Sequence, residues 1–540
     1  MKLSAVVVTN HSRIPDVDVK IRRHAVIVGA NDVGKSSILR LLNLTLGAMT
    51  GTLYQRLSKA DLADEEQPLV IDVTLNDFTE AERTLFHDEI TVEPDGETEY
   101  LRVQLNVEAD PEDEQAVAIR RWFPEAGHDR GPSTRQLEGF GWRYLSATRG
   151  VSAASLDGRD GVLRTLLAAT DLGDHRETLV GLIEQFNTEL AGSENVAELL
   201  SRIANHLSRA MPNPVAAADM ALRSTADPER DVLGNVSMFV KKDGTHKPLS
   251  EQSDGVRQLT GMTLFDLAEG AANVVAIDEP ELHLHPSSQR TVADLFAGST
   301  NQKVIATHSA YIVHRFEPAH VIAVGPDGVC RQIADEKLTQ VEKQRVNWWS
   351  PRLLEALTAR YAVIVEGPSD RVIVEAAARV MGVELDRIGA VVFDIDGADK
   401  FQHVYKLIGK EGFGVPVLGL VDDKESSSWL GAIGGKPKHL LNKSVWVSKA
   451  DLEEEYVEAF TGSGLARALI KGGYCSETQI LQSTGVSGLD HITVETAAAF
   501  CRKGKTAAAT AVATQLDAAT AEKIVSVAGL LNHLSGADLL

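Results

Sequence analysis

Residues 29–37, which read Gly-Ala-Asn-Asp-Val-Gly-Lys-Ser-Ser, have the types and spacing needed to hold the phosphates of a nucleotide. In such a loop, backbone N–H groups point into one concavity, the lysine reaches the outer phosphates and the serine hydroxyl binds Mg²⁺. A glycine turn that only begins a helix is the alternative, but the apolar run before the loop and the helical pattern after it favour phosphate binding. The predicted ATP-binding residues here are Gly29, Asn31, Gly34, Lys35, Ser36 and Ser37.

Two later apolar runs end in polar side chains that could hydrolyse a bound nucleoside triphosphate. Asp278 and Glu279 follow the run 273–277, and His308 follows the run 303–307. In phosphoryl transfer, a carboxylate completes the Mg²⁺ shell and a second carboxylate orients or deprotonates the attacking water. We therefore expect Asp278 to bind ATP with Mg²⁺, Glu279 to be catalytic and His308 to contact the γ-phosphate. The alternatives are that Asp278 and Glu279 only mark the end of a strand and that His308 has a structural role.

The order of four motifs resembles that of ABC-type ATPases. The segments GANDVGKSS, LSEQSDGVRQL, VVAIDEPELHLHP and IATHS are similar to the Walker A, signature, Walker B with D-loop, and switch-histidine motifs of the ABC/SMC-like class. This resemblance implies a head-to-tail dimer in which Ser253 and Gly255 of one subunit close on the ATP held by Lys35 of the other. The sequence reads SDGVR where that class usually has a second glycine, and a polar helix cap is the alternative for Ser253.

Three apolar runs farther along the chain end in carboxylates, at residues 361–370, 390–396 and 416–423. If the three strands are parallel, these ends meet at one edge of a sheet. Clustered carboxylates repel one another unless cations neutralise them, and oxygen ligands suit Mg²⁺ or Mn²⁺ ions that cleave phosphodiesters. Solvated strand ends on an acidic protein are the alternative. The carboxylates are Glu366, Asp370, Asp394, Asp396, Asp422 and Asp423.

The segments EGPSD, IDGADKF and LVDDKE resemble a Toprim domain, and an ABC ATPase followed by a Toprim domain resembles the OLD (overcoming lysogenisation defect) family of ATP-dependent endonucleases. The resemblance implies that Glu366, Asp370 and Asp422 bind one divalent metal, Mg²⁺ with Mn²⁺ or Ca²⁺ as alternatives. It implies that Lys505 is catalytic because it stabilises transition-state charge. Lys424 stands where Toprim domains usually have a second aspartate. The resemblance also implies that Glu453, or a neighbour such as Glu455, helps bind a second metal. Asp423 and Glu425 are the two candidates to substitute for the missing aspartate.

The strands and helices predicted around these residues indicate an α/β protein with two parts. We expect an ABC/SMC-like P-loop ATPase over residues 1–340, with a helical dimerisation insertion at about 155–215. A linker at 341–358 and a Rossmann-like Toprim nuclease domain with a C-terminal helical extension at 359–540 follow. Alternating runs at 68–78 and 99–109 predict an antiparallel sheet beside the first strand.

Charge restricts where a polyanion could bind. The chain has 540 residues, 54 Lys and Arg and 76 Asp and Glu, for a net charge of −22. Residues 341–540 are nearly balanced, with 21 basic and 25 acidic side chains, so this part is better suited to nucleic acid. Four lysines near Trp446 could neutralise DNA phosphates beside the metal site, with a solvated loop as the alternative. They are Lys436, Lys438, Lys443 and Lys449.

These observations together predict an ATPase and metal-dependent DNA endonuclease. Three cysteines without a paired pattern, and no long apolar run, predict a cytoplasmic protein without a membrane partner. The family resemblance implies a homodimer or higher oligomer, a role in anti-phage defence or DNA repair, and a helicase-like or other defence partner. The main alternative is a non-cleaving SMC- or RecF-like ATP-gated DNA-binding protein with a degenerate Toprim domain. A transporter ATPase subunit is a second alternative, which the Toprim-like half disfavours.

Overall fold

The computed structural model describes residues 1–145, 170–210, 232–333 and 350–537, except positions 95, 97, 111–112, 114–115, 127–129, 234–235, 243–244 and 269–271. It also describes residues 163, 166–167, 216, 218, 220–222 and 224. The chain forms two compact units. Residues 1–144, 273–279 and 293–540 form the first unit, and residues 145–272 and 280–292 form the second.

An antiparallel sheet begins the first unit, with the strand order β2-β1-β4-β6-β5 and β7 also paired to β6. The buried positions of β6 alternate with more exposed ones, as expected for a sheet with one wet face. The antiparallel pairing of β4 with β6 confirms the prediction for 68–78 and 99–109. The strands are β1 Lys2–Thr9, β2 Val17–Lys20, β4 Leu69–Asn76, β5 Thr91–Val92, β6 Glu99–Ala109 and β7 Val117–Trp122.

The second sheet carries the nucleotide motifs and has the strand order β14-β13-β3-β12-β11-β8. Strands β13, β3, β12 and β11 pair in parallel, so their carboxyl ends share one edge. All residues of β3, β11, β12 and β13 are buried, which explains their continuous apolar runs. The strands are β3 Ala25–Gly29, β8 Trp142–Leu145, β11 Val274–Asp278, β12 Gln302–Thr307, β13 Val321–Val324 and β14 Cys330–Arg331.

The second unit contains the predicted helical insertion. Two helices, α5 His175–Gly192 and α6 Glu194–Ala210, lie in its described part. Residues 155–162, 164–165, 168–169 and 211–215 of the predicted insertion lie outside the described residues. The hairpin of β9 Phe239–Lys242 and β10 Thr245–Pro248 precedes helix α7 Asp254–Ala268 in the same unit. Half of the predicted linker, residues 341–349, also lies outside the described residues, and a helix begins within the described half at Pro351.

The third sheet has the order β16-β15-β17-β18, and every pair in it is parallel. The predicted parallel arrangement of the carboxylate-bearing strands is therefore confirmed. A C-terminal set of helices packs on this sheet through buried aliphatic residues, as the predicted helical extension requires. The strands are β15 Tyr361–Val365, β16 Ala390–Asp394, β17 Val417–Asp422 and β18 Val445–Ser448.

The remaining helices follow chain order, and none of the described helices is long and apolar enough to cross a membrane. In the first half they are α1 Lys35–Leu46, α2 Thr50–Arg56, α3 Glu80–Leu85, α4 Thr134–Gly139, α8 Pro286–Gly298 and α9 Ala310–Val313. In the second half they are α10 Pro351–Leu357, α11 Pro368–Val380, α12 Leu385–Ile388, α13 Phe401–Ile408, α14 Asp423–Ile433, α15 Pro437–Leu440, α16 Leu452–Phe460, α17 Gly462–Lys471, α18 Glu477–Thr484, α19 Val494–Arg502, α20 Lys505–Ala513, α21 Ala518–Ala521 and α22 Val525–Ala537.

Candidate nucleotide and metal sites

The predicted phosphate-binding loop connects β3 to α1, which begins at Lys35. Gly34 has φ 98°, and a Cβ atom there would lie 2.1 Å from the Ile14 side chain, so both backbone and space require glycine. A Cβ atom on Gly29 would lie 2.8 Å from the Val324 carbonyl oxygen. These constraints explain the two glycines of the motif and give the loop its tight turn into the helix.

The loop already contacts the carboxylate that the sequence paired with it. The Ser36 hydroxyl donates to Asp278 Oδ1 at 2.9 Å, which joins the start of α1 to the end of β11. Lys35 is 4% exposed, and its ammonium donates to the Ala30 carbonyl oxygen at 2.7 Å. A hydroxyl oxygen and a carboxylate oxygen this close together are the two protein ligands that an Mg²⁺ ion bound to ATP would need.

Glu279 and His308 follow neighbouring parallel strands at the same edge. Asp278 is in register with Ala306, and the Glu279 N–H group donates to the Ala306 carbonyl oxygen at 2.8 Å. Glu279 adopts φ 49°, a left-handed conformation that is uncommon for a non-glycine residue and is concentrated at functional sites. This geometry turns the chain sharply at the strand end.

The two predicted signature residues lie in the second unit. Ser253 accepts the Arg257 N–H group through its carbonyl oxygen as α7 begins, and Gly255 is in the first turn of that helix. A Cβ atom on Gly255 would lie 3.0 Å from the His283 carbonyl oxygen, so the helix approaches this backbone closely. Their predicted role across a dimer stays a prediction.

Sequence reasoning missed Arg121, which contacts the carboxyl end of α1, the helix that follows the nucleotide loop. Its guanidinium is buried and donates to the carbonyl oxygens of Leu44, Thr45 and Ala48 at 3.1, 3.3 and 2.6 Å. Desolvation lowers the pKa of Arg121 to about 10, and the side chain still carries a positive charge at neutral pH. A cation at the carboxyl end of a helix stabilises its unpaired carbonyl groups. The alternation of apolar and polar residues in β7 does not indicate that Arg121 contacts a helix end.

The carboxyl ends of β15 and β17 bring together the first metal candidates. Glu366 Oε1 accepts the Asp422 N–H group at 3.0 Å, and Asp370 Oδ2 accepts the Gly367 N–H group at 2.9 Å. Helix α16 adds Glu453, which is 1% exposed and whose Oε2 accepts from the Lys505 ammonium at 3.1 Å. The chain therefore assembles four carboxylates and one lysine, which we call the carboxylate edge.

Burial and neighbouring carboxylates make the carboxyl groups of Asp370 and Asp422 harder to ionise. Burial, with Glu453 and Glu366 adding negative charge, raises the pKa of Asp370 to about 7. Burial, with Glu366, Asp370 and Glu453, raises the pKa of Asp422 to about 7. Burial also raises the pKa of Glu366. Burial opposes the charged form of Lys505, but Glu453, Asp422 and Asp370 outweigh it and raise the pKa of that ammonium.

The donor chemistry of this edge fits a hard divalent cation, because all its ligand atoms are carboxylate oxygens and their mutual repulsion needs positive charge. Within the described part of the chain, no three Asp, Glu, His or Cys side chains are already arranged as a metal-ligand set. Each of the four carboxylates has an oxygen that accepts a hydrogen bond, from a backbone N–H group in Glu366, Asp370 and Asp422 and from the Lys505 ammonium in Glu453.

Two of the predicted metal ligands are not brought to the carboxylate edge by their contacts. Glu455 is buried, and its two oxygens accept from the N–H group and the hydroxyl of Ser526 at the start of α22. Asp423 is exposed as the first residue of α14. Glu455 acts as a cap between two helices, because both of its acceptor oxygens are occupied. We therefore leave both residues out of the ligand set.

Asp394 and Asp396 do not join the metal candidates either, contrary to the expectation that all strand-end carboxylates converge. Asp394 Oδ1 accepts from Arg371 Nε at 2.7 Å, and Asp396 pairs with Lys400 at 3.2 Å. These ion pairs neutralise the two carboxylates locally, so the structure gives them a stabilising role.

A second residue that sequence reasoning missed is Arg502. It forms a bidentate pair with Asp451, at 2.6 and 3.0 Å, and donates to Glu454 Oε2 at 3.0 Å. Asp451 in turn caps α16 by accepting the Glu454 N–H group at 2.9 Å. Arg502 precedes Lys505 by three residues, and that spacing was the available signal that both basic residues face the same acidic stretch.

Three of the four predicted lysines lie elsewhere than expected, whereas Lys449 follows Ser448, which is in register with Asp422, and pairs with Glu458. Residues 434–444, which we call the lysine loop, lead into the amino end of β18, whereas Asp422 ends the parallel strand β17. The lysine loop and the carboxylate edge are therefore at opposite edges of the sheet. Trp446, expected beside the lysines, is 2% exposed and packs against His533, so it cannot stack on a nucleic-acid base.

The fold and the two sites define a P-loop ATPase joined to a Toprim domain. A family model described as "AAA domain, putative AbiEii toxin, Type IV TA system" matches residues 25–314, more than half of the chain. A model described as "Overcoming lysogenization defect protein-like, TOPRIM domain" matches residues 357–423. The chain belongs to the first of these families, and its predicted likeness to OLD proteins is confirmed by the second match.

Two curated relatives match this chain over most of their length. Endonuclease GajA of Bacillus cereus (strain VD045) is 20% identical over 438 residues, which are 75% of this chain and 72% of the relative. Old nuclease of Escherichia phage P2 is 21% identical over 463 residues, 77% of each chain. The solved C-terminal region of the Burkholderia pseudomallei OLD protein is 22% identical, with 33% of this chain and 98% of that chain covered at a TM-score of 0.28.

Proposed function

We propose that this protein is an ATP-dependent, divalent-metal-dependent DNA endonuclease. The observation that carries the proposal is the convergence of Glu366, Asp370, Asp422 and Glu453 with Lys505 at one edge of a sheet that matches a Toprim model. The names of both curated relatives, an endonuclease and a nuclease, support the same reaction class.

The residues at the carboxylate edge have distinct parts in this reaction. The four carboxylates would hold Mg²⁺, or Mn²⁺ or Ca²⁺, and such an ion supplies an activated water and a Lewis acid for phosphodiester hydrolysis. The Lys505 ammonium stays protonated because neighbouring carboxylates raise its pKa. It would stabilise negative charge as it develops on the phosphoryl oxygens, as a preorganised cation does without reorganisation.

The ATPase half would bind ATP through Lys35 and the Ser36–Asp278 pair, with Glu279 orienting the attacking water and His308 near the γ-phosphate. Closure of Ser253 and Gly255 from a second copy on this site would couple ATP binding to dimer geometry. The exposed apolar side chains on the insertion helices support a homodimer. They include Leu182, Phe186 and Leu199, which are 57%, 56% and 45% exposed.

In the cell, the proposed role is defence against phage or DNA repair in the cytoplasm, where a helicase-like or other defence protein would be a partner. The ATPase–Toprim organisation and the resemblance to OLD proteins support this assignment. A test of the cellular role is loss of plaque protection when Glu366→Ala or Lys35→Ala replaces the normal chain.

The experiment that tests the activity incubates the full-length protein with supercoiled plasmid and Mg²⁺ or Mn²⁺, with and without ATP. Wild-type protein should give nicked or linear DNA, and Glu366→Ala should reduce the rate at least about 10³-fold because it removes a carboxylate from the ion. Lys35→Ala reports what ATP binding adds. Asp396→Asn, at an exposed ion pair near the same edge, is the matched control and should cleave normally.

One observation favours a second function, a DNA-binding protein that opens and closes with ATP but does not cut. Lys424 stands two residues after Asp422, where a further carboxylate would strengthen the metal site. The absence of cleavage with every metal, together with ATP-dependent DNA retention, would establish this alternative and reject the endonuclease.

A further inference from the structure

The lysine loop carries positive charge that pairs with no other described residue. Lys436, Lys438 and Lys443 are exposed, as is His439 between them. Within the described residues, none of the three ammonium groups has a hydrogen-bond or ion-pair partner. Residues 426–450 contain four lysines and no aspartate or glutamate, in a protein with a net charge of −22.

This local charge is held on an ordered backbone. The Asn442 N–H group donates to the Val445 carbonyl oxygen at 2.8 Å, and the Ser444 carbonyl oxygen accepts from Gly419 at 2.7 Å. Val445 and Trp446 anchor the end of the loop, with 0% and 2% exposure. A cationic loop that is already ordered loses less conformational entropy when it binds a ligand.

The register of β17 and β18 sets a minimum distance between this charge and the carboxylate edge. Asp422 is in register with Ser448, and Val445, the first residue after the lysine loop, is three residues earlier in the strand. Three residues of strand span about 10 Å, so the loop is at least about 10 Å from the level of Asp422. Phosphates on one strand of a duplex are about 3.4 Å apart along the axis, so 10 Å corresponds to about three base pairs.

We propose that the lysine loop is a second DNA contact, which binds backbone phosphates of the duplex at least about three base pairs from the phosphodiester at the carboxylate edge. The inference rests on the proposed endonuclease function for the identity of its ligand. Free lysines that face a polyanion give affinity without sequence preference, and the loop therefore holds the duplex in place while the carboxylate edge reacts.

The test compares a triple variant, Lys436→Gln with Lys438→Gln and Lys443→Gln, with a control triple of equal charge loss, Lys20→Gln with Lys471→Gln and Lys523→Gln. All six lysines are exposed, so both triples should fold. Binding of a duplex is measured against salt concentration in the Glu366→Ala chain, which removes cleavage. The loop triple should lower the slope of log affinity against log salt by about 2 to 3, at roughly 0.9 per phosphate contact. Equal slopes in the two triples would overturn the proposal.

The position of the contact is tested with neutral methylphosphonate linkages at chosen distances from a mapped nick. Substitutions three or more base pairs away should weaken binding by the chain with an intact loop and have no effect on the loop triple. Equal weakening of both would contradict the assignment.

The same variants separate this inference from the proposed function. If Glu366-dependent cleavage occurs but the loop triple binds as the control does, only the lysine-loop contact is rejected. If the loop triple loses salt-dependent binding but no metal supports cleavage, the contact stands and the endonuclease is rejected. In the cleaving background, the loop triple should raise KM with kcat within about twofold, because it removes binding that is equal in the ground and transition states.

Discussion

At the scale of single residues, the carboxylate edge has four carboxylates and only one lysine, so it lacks the positive charge that would balance it. Asp370 and Asp422 have pKa values raised to about 7, first by burial and then by neighbouring carboxylates. Lys505 is the only ammonium that any described carboxylate of this edge holds by a hydrogen bond. Such an arrangement costs stability without a cation, as functional sites commonly do.

We predict that Asp422→Asn stabilises the metal-free protein and abolishes cleavage. At pH 8 the folded state must keep Asp422 ionised among its neighbours, whereas a neutral amide avoids that repulsion and can still accept the Leu452 N–H group. With EDTA present, Tm should rise by at least about 2 °C. The exposed neighbour supplies the control, since Asp423→Asn should leave Tm within about 1 °C. A lower Tm for Asp422→Asn would show that the carboxylate edge is not strained by its charge.

At the scale of elements, the first turn of α16 distributes four acids among three different partners. Arg502 pairs with Asp451 and Glu454, Lys505 with Glu453, and Ser526 with Glu455. Only Glu453 is thereby directed toward Asp370 and Asp422. The junction of α19 and α20, which carries both basic residues, therefore sets how the acidic helix meets the sheet.

Arg502→Gln should loosen that junction and weaken metal binding, although Arg502 is not itself a candidate ligand. The loss of a partly exposed bidentate pair should lower the free energy of unfolding by about 1–2 kcal/mol. Mn²⁺ affinity, followed by electron paramagnetic resonance, should fall about 10- to 100-fold, as for partners that orient metal ligands.

Arg502→Lys is a second variant, and it should recover only part of this affinity because lysine cannot make the bidentate contact. The matched control is Arg467→Gln, which breaks an exposed pair with Asp490 and should cost less than about 0.5 kcal/mol. Unchanged Mn²⁺ affinity in Arg502→Gln would mean that the pair only stabilises the helices.

At the scale of the whole molecule, the two halves should respond to acid in opposite directions. In the ATPase half, burial lowers the pKa values of His24 and His314 to about 4, so both are neutral when folded. Their contribution to stability is full above pH 6.5 and is lost as pH falls toward 4. The raised pKa values of Asp370 and Asp422 act oppositely, since the folded state binds protons more readily and loses stability as pH rises from about 4 to 7.

Hydrogen exchange on the metal-free protein at pH 7 and pH 5 should reveal this difference. Amides of β3 and β12 should lose protection at the lower pH relative to those of β15 and β17. In the wild-type protein, His24 Nδ1 accepts the Lys303 N–H group at 3.1 Å, and the side-chain oxygen of a His24→Asn variant can accept it instead. This variant should make the ATPase half less sensitive to acid. Equal loss of protection in all four strands would contradict the assignment.

Much of the fold and of both sites could be predicted from local sequence, because the signals are short. Gly29, Gly34 and Lys35 form a motif within seven residues, and the helix begins at Lys35 as expected. Glu366 and Asp422 end apolar runs, and a buried parallel strand presents its last polar residue at the sheet edge whatever surrounds it. Strand type and strand-end chemistry therefore needed no knowledge of distant contacts.

Tertiary packing alone decided which residues act together. Within DLEEEY, successive side chains on a helix point about 100° apart, so the choice of Glu453 over Glu454 and Glu455 depended on where α19, α20 and α22 pack. The direction of β18 moved the lysine loop to the opposite edge from the carboxylates, although it adjoins them in sequence. Sequence determines local period and chemistry, whereas the partner of a side chain depends on elements that meet only when the chain is folded.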